Sequence, residues 1–184
     1  GQHLAIHALA AGAGDLKRGL GNVTTRGIFG EVQLGAILEQ IMTAEQFSAN
    51  VATRPGSAER VEFAVRLPGV QDDPNSQVWL PIDAKFPRED YERLLDAQER
   101  ADAEAAALAG LALERRIREE GKSIAQKYLE PPFTTDFALL FLPTEGLYAE
   151  VLRRPGLVEA MQRDHRVVIA GPTTLSALLN SLRM

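Results

Sequence analysis

Asp83 and Lys85 stand one residue apart in LPIDAKFP, a spacing that points both side chains to the same side of an extended strand. From that spacing alone the plainer reading is a cross-strand ion pair at a sheet end. A second carboxylate changes the chemistry. Glu62 lies in the preceding alternating run, Arg60 to Leu67, and if it faces the same side as Asp83 the two acids repel unless one takes up a proton or a cation lies between them. Mg2+ or Mn2+ suits such a pair, since one or two carboxylates, water and substrate phosphate complete its shell, with the main-chain carbonyl of Ala84 as a further candidate ligand. The ion would lower the pKa of a bound water and polarise a phosphoryl oxygen. Lys85 would orient that water or stabilise charge developing on the phosphate.

Composition narrows the alternatives. The chain has 184 residues and no cysteine, so thiolate zinc sites, disulfides and cysteine nucleophiles are excluded and any metal is held mainly by oxygen. A net charge of -5 argues against a broad basic surface for nucleic acid, yet not against a local site whose carboxylates are neutralised by an ion. No run approaches the roughly 18 apolar residues of a membrane span, and the N-terminus lacks the layout of a signal peptide. The size suits one compact α/β unit.

The elements that must position these residues follow from periodicity. His3 to Gly21 is Ala- and Leu-rich and reads as a helical end, in which His3 and His7 could share a face as a metal pair; an exposed terminal helix is the blander account. From Gly27 to Met42, Ile28, Leu34, Leu38 and Met42 form a helical apolar row. Glu31 falls in that row and is expected to face inward, where it needs either a cation or a salt bridge to an arginine such as Arg66. Phe47 to Thr53 is a weak strand candidate. Arg60 to Leu67 places Val61, Phe63, Val65 and Leu67 on one face and Glu62 with Arg66 on the other. Turn formers fill Gly69 to Gln77, and Val78 to Lys85 resumes the alternation, which predicts an antiparallel hairpin. On its second strand Trp79, Pro81, Asp83 and Lys85 share a face, and Pro81 predicts irregular pairing or an edge position.

About Arg88 to Glu130 is predicted to be a helical excursion with a solvated face and breaks at Gly110 and Gly121. Phe137 to Leu142 reads as a strand covered on both faces, with Thr144 capping the helix after it, and Arg166 to Ala170 as another. A last helix follows GPTT and runs on to the end of the sequence. Glu145, just past the first buried strand, is either a ligand at a strand's carboxyl end or a first-turn acid favoured by the helix dipole. The GPTT turn offers backbone amides to a phosphate but lacks the pattern of a P-loop.

The segments GIFGEVQLGAILE, VEFAVRLPG, LPIDAKFPREDYERLL, TTDFALLFLPTEGLYAEVL and RVVIAGPTTLSALL together resemble the core domain of the DNA recombination protein RmuC family, from about Gly27 to the end. The resemblance implies a PD-(D/E)xK nuclease-like fold, a restriction-endonuclease-like mixed sheet flanked by helices with a long helical insertion at about 88–130. Residues 1–26 would then be a helical extension, the end of a coiled coil. Carried over, the helix acid is Glu31, the first strand acid is Glu62, and the D-x-K pair is Asp83 and Lys85. It also implies a metal-dependent DNA nuclease in recombination or repair, with Glu31, Glu62 and Asp83 as metal ligands. One departure stands out: Val61-Glu62 replaces the usual Pro-Asp, and the added methylene shifts the carboxylate by about a bond length. A noncatalytic DNA-binding or scaffolding domain is the rival, and an oligomerisation module the third reading. The expected location is cytoplasmic. Full-length members are expected to carry an inner-membrane anchor and a coiled coil through which they assemble, so this sequence has the look of an excised core.

Overall fold

A computed structural model of the chain describes residues 23–69 and 76–183. The expected His3 to Gly21 helix and the His3/His7 pair lie outside the described residues. Helix α1 (Val23–Ile41) is followed by strands β1 (Phe47–Val51), β2 (Val61–Pro68) and β3 (Gln77–Ala84). Helices α2 (Arg88–Glu99) and α3 (Ala103–Tyr128) come next, then β4 (Ala138–Phe141), α4 (Glu145–Arg153), α5 (Leu157–His165), β5 (Val167–Ala170) and α6 (Pro172–Leu182).

The five strands form one mixed sheet in chain order, β1 to β3 antiparallel and β4 and β5 parallel to β3. Each face carries its own apolar layer. Leu34 and Leu38 of α1 and Leu175 and Leu179 of α6 close over Val65, Leu80, Ile82, Leu139 and Phe141. On the other face Leu113, Ile117 and Ile124 of α3 and Met161 of α5 close over Ala64, Leu140 and Val167. Every residue of β4 is buried, the state expected of a strand covered on both sides.

The hairpin forms with the expected faces, Leu80 and Ile82 under α1 and α6 and Trp79 toward α3. Val61 departs from its row and packs with Ala64 toward α3. It pairs with Val51 next to Asn50, whose left-handed backbone (φ 56) interrupts the pleat of β1. Pro81 does not mark an edge, because β3 is the central strand. The irregularity is real, though: on the β4 side pairing runs as a bridge from Trp79 to Thr134 and resumes only at Ile82, so the missing proline N–H falls in a gap.

The segment 88–130 is not an excursion set apart from the core. Helix α3 buries Ala109, Leu113, Ile117, Ile124 and Tyr128 and is one of the layers. It also runs unbroken through Gly110 and Gly121. The side-chain ends of Arg154 and Met161 lie over these two glycines, which cost the helix roughly 1 kcal/mol each in propensity, and packing against the sheet carries it through both. Thr144 caps α4 by accepting the Leu147 N–H at 3.2 Å. The single helix expected there is two, separated at Pro155 and Gly156, whose φ is 75.

Candidate acid and lysine cleft

The β2 and β3 register brings the site together. Phe63 pairs with Ile82, and one step further along the ladder Glu62 comes opposite Asp83. A 420 Å³ cleft opens there, with Glu62, Asp83 and Lys85 in its lining, Glu31 from α1, Asn50 from β1, Arg60 and Tyr128. All four residues singled out in the sequence therefore meet at one cleft.

They are not equally placed. Asp83 is 3% exposed, Glu62 is half-buried and accepts the Ala84 N–H at 2.9 Å through Oε2. Glu31, expected to face the core, is exposed at the rim, and Ile28 of the same row is 53% exposed. The reason is the way α1 crosses β3. Gly30 is the buried residue at the crossing, with Ala84 close beneath it, and this turns the neighbouring Glu31 outward to the cleft. The alternative partner for Glu31 is engaged elsewhere: Arg66 stacks over Trp79 at 4.9 Å and donates to Ser48 Oγ at 2.8 Å and to the Glu45 carbonyl.

Burial, then the charge of Asp83, then that of Glu31 raise the Glu62 carboxyl to about 8, against the opposing pull of the Ala84 N–H. Burial also raises Asp83, opposed chiefly by Lys85. Lys85 Nζ lies 3.4 Å from Asp83 Oδ2 and 3.7 Å from Glu120 Oε2. Burial works to lower its pKa, but Asp83, Glu120 and Glu62 together carry it above the usual lysine value. Near neutral pH Glu62 thus keeps its proton, beside Asp83, whose carboxyl burial raises and the neighbouring Lys85 ammonium lowers. Among the described residues no group of three Asp, Glu or His side chains is gathered closely enough to surround one ion.

Glu120 and Tyr128 were not singled out from the sequence. Both belong to the inward row of α3 that contains Leu113, Ile117 and Ile124, and a carboxylate in such a row is the same signal that drew attention to Glu31. Glu120 also receives Arg116 Nε at 3.2 Å, so Arg116, Glu120, Lys85 and Asp83 form an alternating chain of charge. Burial and the Asp83 charge push the Tyr128 hydroxyl up to about 12.

Glu145 is exposed at the head of α4, away from the cleft, and its Oε1 accepts the Thr173 N–H at 2.6 Å. The Gly171 N–H is taken by Thr174 Oγ1 at 2.7 Å. Two amides of the GPTT turn are thereby satisfied within the protein and are not free for a phosphate.

A mixed sheet with helices on both faces makes the chain an α/β protein, with paired acids beside a lysine across its central hairpin. The chain belongs to the RmuC family, whose model matches residues 3–184. It is similar to a DNA recombination protein RmuC homolog of Xylella fastidiosa, 60% identical over 97% of this chain and 39% of that protein. It is also similar to DNA recombination protein RmuC of Escherichia coli K12, 31% identical over 95% of this chain and 36% of that protein. A homolog from Chlamydia muridarum is 30% identical over 86% of this chain and 34% of that protein. The chain thus spans roughly two-fifths or less of the length of these relatives. No solved structure matches. Among the described residues no helix is long and apolar enough to cross a membrane.

Proposed function

We propose that this domain acts in DNA recombination as a Mg2+- or Mn2+-dependent phosphodiester hydrolase, with Glu62 and Asp83 as the metal ligands and Glu31 reaching the ion directly or through water. The observation that carries the reading is the opposition of Glu62 and Asp83 in one cleft with Lys85, Glu62 being raised to about 8. Two acids that share a proton at neutral pH form a site that a hard divalent cation fits, because the ion relieves the same repulsion. When bound, the ion would supply a water of lowered pKa and polarise the phosphoryl oxygen.

The chain's own residues do the rest. Asp83, buried, holds Lys85 on the cleft side of β3, and the ammonium orients the attacking water or meets charge developing on the phosphate. Ala84 N–H fixes one Glu62 oxygen and leaves the other for the ion. The names of the relatives supply the substrate class, DNA.

One observation favours a noncatalytic DNA-binding or scaffolding role instead: Lys85 is engaged by acids on both sides, Asp83 and Glu120. Thermal melts with and without Mn2+ test the metal site, since an ion bound only by the folded state raises the melting temperature. Wild type is expected to shift, and Asp83→Ala and Glu62→Ala to lose the shift. Incubation with branched, single-stranded and duplex DNA then separates hydrolase from scaffold. No Mn2+ shift in wild type, or cleavage that survives Asp83→Ala and Lys85→Ala undiminished, overturns the assignment.

A further inference from the structure

The cleft has two cations in its lining, and they are differently committed. Lys85 is held by Asp83 and Glu120. Arg60 is exposed, and among the described residues no carboxylate lies within 4 Å of it, although Glu31, Glu62 and Asp83 line the same cleft. Its anchor is neutral: Nη1 donates to the Asn50 carbonyl at 3.1 Å.

That anchor is itself built from an unusual backbone. Asn50 is in the left-handed region at φ 56, within a strand, where only a few residue types are tolerated and Asn is among the favoured ones. It sits opposite Glu62, between the pairs Ala49–Phe63 and Val51–Val61, and it lines the cleft beside Arg60. A guanidinium offers five N–H donors in a planar fork. One is spent on Asn50, and among the described residues no acceptor takes the others at the mouth of the cleft.

We infer that Arg60, seated on the Asn50 carbonyl, is a substrate-binding residue that grips the non-bridging oxygens of a backbone phosphate next to the bond held over Glu62 and Asp83. This rests on the reading of the cleft as a nucleic-acid site and adds to it the group that holds the strand. A planar fork matches phosphate oxygens two at a time, which a lysine at the same place cannot do. Of the two cations, Arg60 is the one whose charge no carboxylate among the described residues takes up, so it is the one left to meet a phosphate.

The test is fluorescence anisotropy of labelled single-stranded and duplex DNA with the 184-residue chain, in Ca2+ in place of Mg2+ or Mn2+ and with the DNA checked to be intact afterwards, across a salt series. Arg60→Ala is expected to weaken binding about tenfold and to reduce the slope of log affinity against log salt by about one, the signature of one lost phosphate contact. Arg60→Lys is expected to recover the slope but only part of the affinity, because it restores charge without the fork. Its exposure predicts an unchanged melting temperature for both variants. DNA binding by wild type that Arg60→Ala leaves unaltered in affinity and slope overturns the inference and spares the cleft assignment. Absence of DNA binding by wild type overturns both.

Discussion

Glu120 and Lys85 meet between the long helix and the central strand, Oε2 to Nζ at 3.7 Å, thirty-five positions apart in the chain. The ammonium of Lys85 is therefore aimed by two acids on different elements, Asp83 from the end of β3 and Glu120 from α3. A group held from two sides keeps few orientations, and that is what positioning requires.

Glu120→Gln keeps the size of the side chain and removes the charge that faces Lys85. If Lys85 acts on the nucleophile or phosphate, single-turnover cleavage in Mn2+ is expected to slow by about ten- to a hundredfold, the scale of modest misplacement. The Mn2+-induced melting shift is expected to persist, since Glu120 is not a ligand. An unchanged cleavage rate removes Glu120 from the mechanism.

Stability should fall as pH rises through neutrality. Glu62 titrates near 4.5 when unfolded and at about 8 in the fold, raised first by burial and then by Asp83. Between those values the folded chain binds a proton that the unfolded chain has released, so this contribution is fully present below the lower value and lost through the upper one. Glu62→Gln is expected to flatten the melting temperature against pH in that window. Metal binding competes with the same proton, so Mn2+ affinity is expected to rise between about pH 6 and 8. A wild-type curve that climbs across the window would contradict the burial of this acid.

Helix α3 is a core layer, and its two sides should answer differently to truncation. Ile117→Ala removes a fully buried side chain and is expected to cost about 2–5 kcal/mol in urea unfolding. Leu108→Ala, at a position 64% exposed, is expected to change stability by less than about 0.5 kcal/mol. Equal, small effects would restore the picture of a detached excursion.

Glu145→Ala removes the acceptor of the Thr173 N–H at the head of α6 and is expected to destabilise by about 1 kcal/mol. The Mn2+ shift and DNA affinity should not move, because Glu145 is away from the cleft. A loss of either would reassign this acid from structure to function.

Local patterns were readable wherever one element sufficed. Period two placed Asp83 and Lys85 on one side of a strand, and turn chemistry between two alternating runs put Glu62 on its hairpin partner, while the register that sets Glu62 opposite Asp83 came from the structure. The uninterrupted apolar run at 138–141 announced a covered strand. Thr144 announced its helix. Reading failed where a neighbour decides. Glu31 and Ile28 belong to an apolar row, yet the contact of Gly30 with Ala84 fixes which side of α1 meets the sheet and sends both outward. Gly110 and Gly121 looked like breaks because the packing that carries the helix through them, with Arg154 and Met161 lying over them, comes from later in the chain.

What the sequence determined by itself is the chemistry on offer: oxygen ligands without thiols, a D-x-K strand, and an acid on its hairpin partner. Only the tertiary structure decided which groups share a cleft and in what state. Backbone periodicity acts over a few residues and is written locally, whereas desolvation and Coulomb interaction depend on distance in space. The pairing of Lys85 with Glu120, the freedom of Arg60 and the proton on Glu62 all arise from that distance, and no spacing along the chain encodes it.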